Sequence, residues 1–132
     1  MKLIQSKYKD ANCPFIYCNL VGGQDELIFD GFSMVFNSES ELIDIANGFE
    51  EQILITDLNS RESIEKISPN EQLFKALSLG IKDYFIKTGH EKAVIGLSGG
   101  IDSALVACLA VDALGSENVS LISLRSRFSS DH

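Results

Sequence analysis

The chain has 132 residues, of which 45% are hydrophobic and 23% charged, and eleven Lys and Arg against nineteen Asp and Glu leave a net charge of −8. That composition excludes disorder and a collagen-like repeat, and its acidic field repels nucleic acid. No apolar run approaches the ~18 residues of a membrane span, and Met1 to Lys7 lacks the apolar core of a secretory leader, so the expected compartment is the cytoplasm, with no membrane partner.

The predicted elements fall into two regions. Phe15 to Val21 is a short run rich in aromatic and β-branched residues, with Pro14 ahead of it and Gly22-Gly23 breaking it, which reads as a strand and a turn. Further strands are predicted at Glu26–Phe29, Ser33–Phe36, Glu41–Ile45 and Glu51–Leu58, separated by Asp30-Gly31, Asn37-Ser38 and Asn47-Gly48. Close spacing and such punctuation predict an antiparallel meander. The three cysteines, Cys13, Cys18 and Cys108, show no zinc-ligand spacing and are expected to be reduced and buried. Positions five apart on one strand point to opposite faces, so Cys13 and Cys18 should not bond.

Residues 59–68 lack a sustained apolar period and are the expected linker between a first domain, 1–58, and a second, 69–132. Ser68-Pro69 signals a helix start. Leu73, Leu77, Ile81, Tyr84 and Phe85 then follow at helical spacing, and the helix should end at Gly89. Gly80 interrupts it at a cost of about 1 kcal/mol relative to alanine, either compensated elsewhere or because something packs closely there. Ala93–Leu97 reads as a strand covered on both faces, Asp102–Leu114 as a buried helix closed by Gly115, and Val119–Leu124 as a second buried strand. Strand, helix, strand make a βαβ unit, whose crossover should be right-handed.

The residues that carry chemistry are Gly96, Leu97, Ser98, Gly99, Gly100, Ile101, Asp102 and Ser103, where the first parallel strand turns into its helix. Ligands of open α/β sheets sit at such turns. Glycines let the backbone approach a bulky anion, and the free N–H groups of a helix start attract one. The Ser98 and Ser103 hydroxyls would add donors, completing a pocket for phosphate or pyrophosphate. No lysine follows the glycines, so this is not a Walker A loop, and G-x-x-G-G is not the dinucleotide fingerprint. Asp102 beside a phosphate site either serves the helix start or holds a cation, for which Mg²⁺ is the candidate.

Ser98-Gly99-Gly100-Ile101-Asp102-Ser103 resembles the signature loop of the ATP pyrophosphatases. Two further stretches narrow the resemblance to the glutamine-dependent NAD synthetases. Ser126-Arg127-Phe128-Ser129-Ser130-Asp131-His132 is similar to a segment reading Ser-Arg-Tyr-Ser-Ser in many of them, and Asn19 to Gly31 is similar to the late part of their glutaminase domain. The sequence departs from the family pattern at Leu20, Phe32 and Leu124-Arg125, which bears on local pocket shape.

The resemblance implies an α/β chain: the end of a nitrilase-like α/β sandwich of mostly antiparallel strands, then the first βαβ unit of an adenine-nucleotide α-hydrolase-like parallel sheet. It implies a ligase that forms NAD⁺ from deamido-NAD, ATP and glutamine-derived ammonia, with Mg²⁺ at Asp102 and a homo-oligomeric full-length enzyme. ATP or pyrophosphate would contact Gly96 to Ser103, and Arg127 is either a further phosphate contact or an exposed arginine. No catalytic residue is assigned, because the glutamate, lysine and cysteine of the glutaminase would precede Met1. The chain therefore reads as an internal fragment, with little or no synthetase activity alone.

Two rival readings are another ATP pyrophosphatase, such as a tRNA-modifying enzyme, and a truncated binding module that keeps the loop only as an anion nest. The negative charge disfavours the first. His90 and His132 have no acidic or thiol partner at useful spacing and read as surface residues.

Overall fold

The structure, a computed structural model, describes residues 2–8, 10, 12–59 and 67–123. In chain order its elements are α1 (Lys2–Tyr8), β1 (Phe15–Tyr17), β2 (Val21–Gln24), β3 (Leu27–Asp30), β4 (Met34–Phe36), β5 (Leu42–Ile45), α2 (Pro69–Thr88), β6 (Ala93–Gly96), α3 (Ile101–Leu114), a 3₁₀ turn (Ser116–Asn118) and β7 (Val119–Ile122). The chain forms two compact units, Met1–Gly22 with Phe29–Gln72, and Gly23–Ile28 with Leu73–His132. Among the described residues no helix is long and apolar enough to cross a membrane.

The first unit is built on an antiparallel sheet in the order β1-β4-β5. All three residues of β4 are buried, because this strand is paired on both edges and covered on both faces, and Ile43 and Ala46 complete the core around it. The Asn37 side chain shapes the β4–β5 connection by accepting the Glu39 and Glu41 N–H groups at 3.1 and 2.8 Å. The register slips between Val35 and Phe36, a bulge that admits the extra residue.

Asn19 stitches the same unit: its amide donates to the Asp30 carboxylate and the Gly31 carbonyl, both at 2.9 Å, while its N–H donates to the Ser33 hydroxyl at 3.0 Å. Phe32 adopts φ 49° and stacks edge-on against Phe49, with its ring over Gly48, where a β-carbon would collide with it.

Four expectations for this region are corrected. The strands do not form a simple meander, because β2 and β3 pair with each other as a separate two-stranded sheet. Gly22 and Gly23 lie inside β2 instead of ending a strand, and the chain reverses at Asp25-Glu26, with Asp25 at φ 52°. Glu51–Leu58 is not a strand: no partner ladder forms, and Ile53 and Ile55 are each 89% exposed. Cys13, Cys18 and Cys108 are free, as expected of Cys13 and Cys18, but exposed. Both of the first two lie outside β1, where no sheet face covers them.

The second unit contains the Gly23–Ile28 hairpin tip, most of α2, and the strand-helix-strand unit. The Ser68 hydroxyl accepts the Glu71 N–H at 3.2 Å, as the Ser-Pro signal requires. At the other end Gly89 takes φ 73°, and the Gly89 and His90 N–H groups bond to Ile86 and Phe85, which closes α2 in a left-handed cap. The face of α2 that packs is only partly the predicted one. Ile81 and Phe85 are half-buried, but Leu73, Leu77 and Tyr84 are exposed, whereas Ser78 is buried and its hydroxyl donates to Asp112 on α3. Small residues of the helix, Ser78 and Gly80, admit close neighbours.

Gly80 shows why. A β-carbon on it would meet the Ile28 side chain at 3.0 Å, and one on Gly23 would lie 3.4 Å from the Gly80 Cα. Asp83 accepts the Gly23 N–H at 2.8 Å and pairs with Lys87 at 3.2 Å, and Lys87 donates to the Gly23 carbonyl. Burial raises the Asp83 pKa, but the Gly23 N–H, the Lys87 hydrogen bond and charge, and Lys82 outweigh it and hold the carboxyl below its ordinary value.

Strands β6 and β7 pair in parallel, Ala93 opposite Val119 through Gly96 opposite Ile122, and α3 packs on them through Ala107, Leu109 and Ala110. The expectation of burial on both sides fails here. Val94 is 69% exposed, Ile101 80%, and Leu105, Val106, Leu121 and Ile122 are also open. One helix covers only one face of a two-stranded sheet.

Candidate functional site

The turn between β6 and α3 is set by three local facts. The Leu97 N–H donates to the Ile122 carbonyl at 2.8 Å, which prolongs the parallel ladder to the end of both strands. Gly99 then takes φ 85°, a left-handed conformation that glycine adopts without strain. Gly100 returns to φ −85°, ψ 157° as the N-cap of α3, with no side-chain cap. Ser98, Gly99, Gly100, Ile101 and Asp102 are exposed, and a β-carbon on Gly96 or Gly99 would meet nothing within 4 Å.

Within this bend the two serines face each other. The Ser98 and Ser103 hydroxyl oxygens are 3.2 Å apart, and Ser103 accepts the Ser98 N–H at 3.3 Å. Ser103 donates to the Gly100 carbonyl at 2.9 Å, while Ser98 accepts the Gly100 N–H at 3.3 Å. The first intrahelical bond runs from the Ala104 N–H to the Gly100 carbonyl at 3.3 Å. Among the described residues the N–H groups of Gly99, Ile101, Asp102 and Ser103 donate no hydrogen bond. A helix start necessarily leaves such groups open, and the dipole behind them favours an anion.

Asp102 sits at the second helical position, so it is not the N-cap; that place is Gly100. Its exposed carboxylate belongs to no group of three or more His, Cys, Asp or Glu that could enclose a metal among the described residues. One carboxylate fits Mg²⁺ in the manner usual for that ion, which keeps waters and takes substrate phosphates as its other ligands. Eight of the candidate residues, Gly96 through Ser103, thus line one continuous bend, while Arg127 lies outside the described residues. The serine pairing was not read from the sequence, where a spacing of five carries no helical or strand signal; only the left-handed Gly99 brings the two hydroxyls together.

Residues 73–132 match the family model described as NAD synthase. A glutamine-dependent NAD(+) synthetase of Synechocystis sp. is 47% identical over 98% of this chain and 25% of its own length, and one of Aquifex aeolicus is 41% identical over 96% and 29%. The chain thus spans about a quarter of the length of the curated relatives it matches. The solved glutamine-dependent NAD+ synthetase of Acinetobacter baumannii in complex with adenosine diphosphate superposes with a TM-score of 0.89 at 34% identity, over 98% of this chain and 26% of that one. A glutamine-dependent NAD(+) synthetase structure from Cytophaga hutchinsonii, at 19% identity and a TM-score of 0.79, shares the fold.

Proposed function

Since the chain belongs to the family of the glutamine-dependent NAD(+) synthetases, we propose that its Gly96–Ser103 bend is the ATP and pyrophosphate site of an NAD(+) synthetase. In this reading the first unit comes from the end of a nitrilase-like glutaminase domain and the second from the start of an α-hydrolase-like synthetase domain. In this reading the full-length enzyme works in the cytoplasm as a homo-oligomer.

The reaction is a ligation in two steps. A carboxylate oxygen of deamido-NAD attacks the α-phosphorus of ATP, the bond to the β-phosphate breaks, and pyrophosphate leaves. Glutamine-derived ammonia then attacks the acyl carbon, AMP departs with the bonding electron pair, and the amide of NAD⁺ forms. The free N–H groups of Gly99, Ile101, Asp102 and Ser103 offset the negative charge that grows on the leaving pyrophosphate. When bound, Mg²⁺ held by Asp102 adds neutralising charge at the same place.

The observation that carries this reading is the exposed bend at the carboxyl ends of two parallel strands, with unclaimed amides pointing from a helix start. Calorimetric titration with ATP and with pyrophosphate, with and without Mg²⁺, tests it. Saturable binding that needs Mg²⁺ and is lost in Asp102→Ala and Gly100→Val supports the synthetase site. Binding indifferent to both substitutions overturns it in favour of an inert anion nest.

A further inference from the structure

Two of the pairs that punctuate the strands of the first unit, Asp30-Gly31 and Asn47-Gly48, meet in space, where Gly31 and Gly48 form an isolated antiparallel bridge. Either pair can close on itself: the glycine nitrogen, once it has lost its proton, attacks the carbonyl carbon of the preceding side chain, and glycine hinders that attack less than any other residue. A nitrogen whose N–H is held in a hydrogen bond keeps its proton and its position. The hydrogen bonds of the two glycines therefore decide which pair reacts.

Those bonds differ. The Gly31 N–H donates to the Leu20 carbonyl at 2.9 Å, and the Asp30 carboxylate accepts the Asn19 amide at 2.9 Å. Beside the bridge the Phe49 N–H donates to the Asp30 carbonyl at 2.9 Å, so Gly31 and Gly48 face each other without exchanging bonds, and among the described residues the Gly48 N–H donates none. Asn47 is exposed, and its side-chain amide donates to the Glu50 carboxylate. Gly48 cannot give way to a slower residue, because a β-carbon there would lie 2.1 Å from Phe32 Cζ.

From this contrast we propose that Asn47-Gly48 is a site of spontaneous deamidation, whereas Asp30-Gly31 is protected by the fold. The Gly48 nitrogen, its proton taken by hydroxide, bonds to the Asn47 side-chain carbon. The bond from that carbon to the amide nitrogen breaks, and ammonia leaves with a proton from water. Water then opens the succinimide on either side, giving aspartate or isoaspartate at position 47. The new carboxylate lies beside the Glu50 carboxylate that held the lost amide, so attraction becomes repulsion. Isoaspartate also lengthens the main chain between two bonds that hold this corner, the Ala46 N–H to the Ser33 carbonyl at 2.7 Å and the Phe49 N–H to the Asp30 carbonyl. Modification therefore loosens the bridge.

The experiment ages the 132-residue chain at neutral and mildly alkaline pH, folded and in urea. Both pairs are followed by peptide mass spectrometry, with aspartate and isoaspartate separated by chromatography. Conversion at Asn47 should rise in proportion to hydroxide and release ammonia. One neutral hydrogen bond shifts an equilibrium by roughly two- to tenfold, so folding should slow Asp30-Gly31 by at least about twofold more than it slows Asn47-Gly48. Equal slowing at the two pairs, or greater slowing at Asn47, would overturn the proposal. A second arm tests the consequence for the corner. Asn47→Asp should lower the denaturant midpoint, and adding Glu50→Gln, which keeps an acceptor and removes the charge, should restore most of the loss. An unchanged midpoint in Asn47→Asp, or a loss that Glu50→Gln leaves in place, would show that the charge at this corner plays no part.

Discussion

Gly99 and Gly100 are neighbours that lack a side chain for different reasons. Gly99 needs its left-handed φ of 85°, and a β-carbon there would touch nothing within 4 Å. Gly99→Ala should therefore cost about 1 kcal/mol, the backbone penalty alone, read as a lowered denaturant midpoint with an unchanged slope. Gly100 has ordinary dihedrals, and a β-carbon would lie 3.5 Å from the Ser98 hydroxyl, an ordinary contact. Gly100→Val should leave stability within about 0.5 kcal/mol of the original while abolishing pyrophosphate binding, because its methyl groups occupy the space an anion approaches through. Equal losses of stability in the two variants would show that Gly100 serves the fold instead. At Asp102 the fold asks little, since Gly100 is the cap. Asp102→Asn should keep the thermal midpoint and lose the Mg²⁺ dependence of nucleotide binding.

At the scale of elements, the hairpin tip and α2 are joined by a charge-assisted clamp. Asp83 accepts the Gly23 N–H, and Lys87 holds both Asp83 and the Gly23 carbonyl. Hydrogen bonds to a charged group contribute roughly 1.5–3 kcal/mol. Lys87 is 57% exposed and water weakens its share, so Asp83→Ala should cost near the lower end of that range. The folded-state pKa of Asp83 is lowered, so its contribution is present above the ordinary aspartate pKa and disappears as the pH falls through the folded value. Denaturant melts at decreasing acid pH should show the gap between the original protein and Asp83→Ala narrowing. A gap that stays constant would mean the carboxylate charge plays no part. Gly80→Ala tests the steric half of the contact: a new β-carbon 3.0 Å from the Ile28 methyl must push that side chain aside.

For the molecule as a whole, the exposed apolar residues on and beside the parallel pair β6 and β7 bear on behaviour in solution. Val94, Leu121 and Ile122 are open on the sheet, and Ile101, Leu105 and Val106 are open on the helix. Apolar surface and unpaired strand edges of this kind drive association. Sedimentation of the 132-residue chain should show mass rising with concentration, and Val94→Lys should reduce it by placing a charge on the bare face. A monodisperse monomer with a cooperative melt would contradict this.

The local elements of the second unit were legible because each has a near-neighbour cause: Ser68 and Gly89 bound α2, and Gly96 to Gly100 separate an apolar strand from an apolar helix. Their burial was not legible, since a continuous apolar run looks the same whether one face or two is covered. Glu51–Leu58 has strand-forming residues, yet a strand exists only where another offers its N–H and C=O groups. The predicted stripe of α2 held only at Ile81 and Phe85, for a related reason. Periodicity finds the largest side chains, whereas Ser78 and Gly80 pack because they are small.

By itself the sequence pointed to the family, the order of the second unit's elements and the glycine-rich bend between β6 and α3, all of which depend on residues close together in the chain. The tertiary structure alone decided that Gly23 meets Gly80, that Ser78 bonds to Asp112 and that Ser98 and Ser103 satisfy each other. Those contacts arise from the path of the backbone, through a left-handed glycine or between distant segments, and no spacing of residue types encodes that path directly.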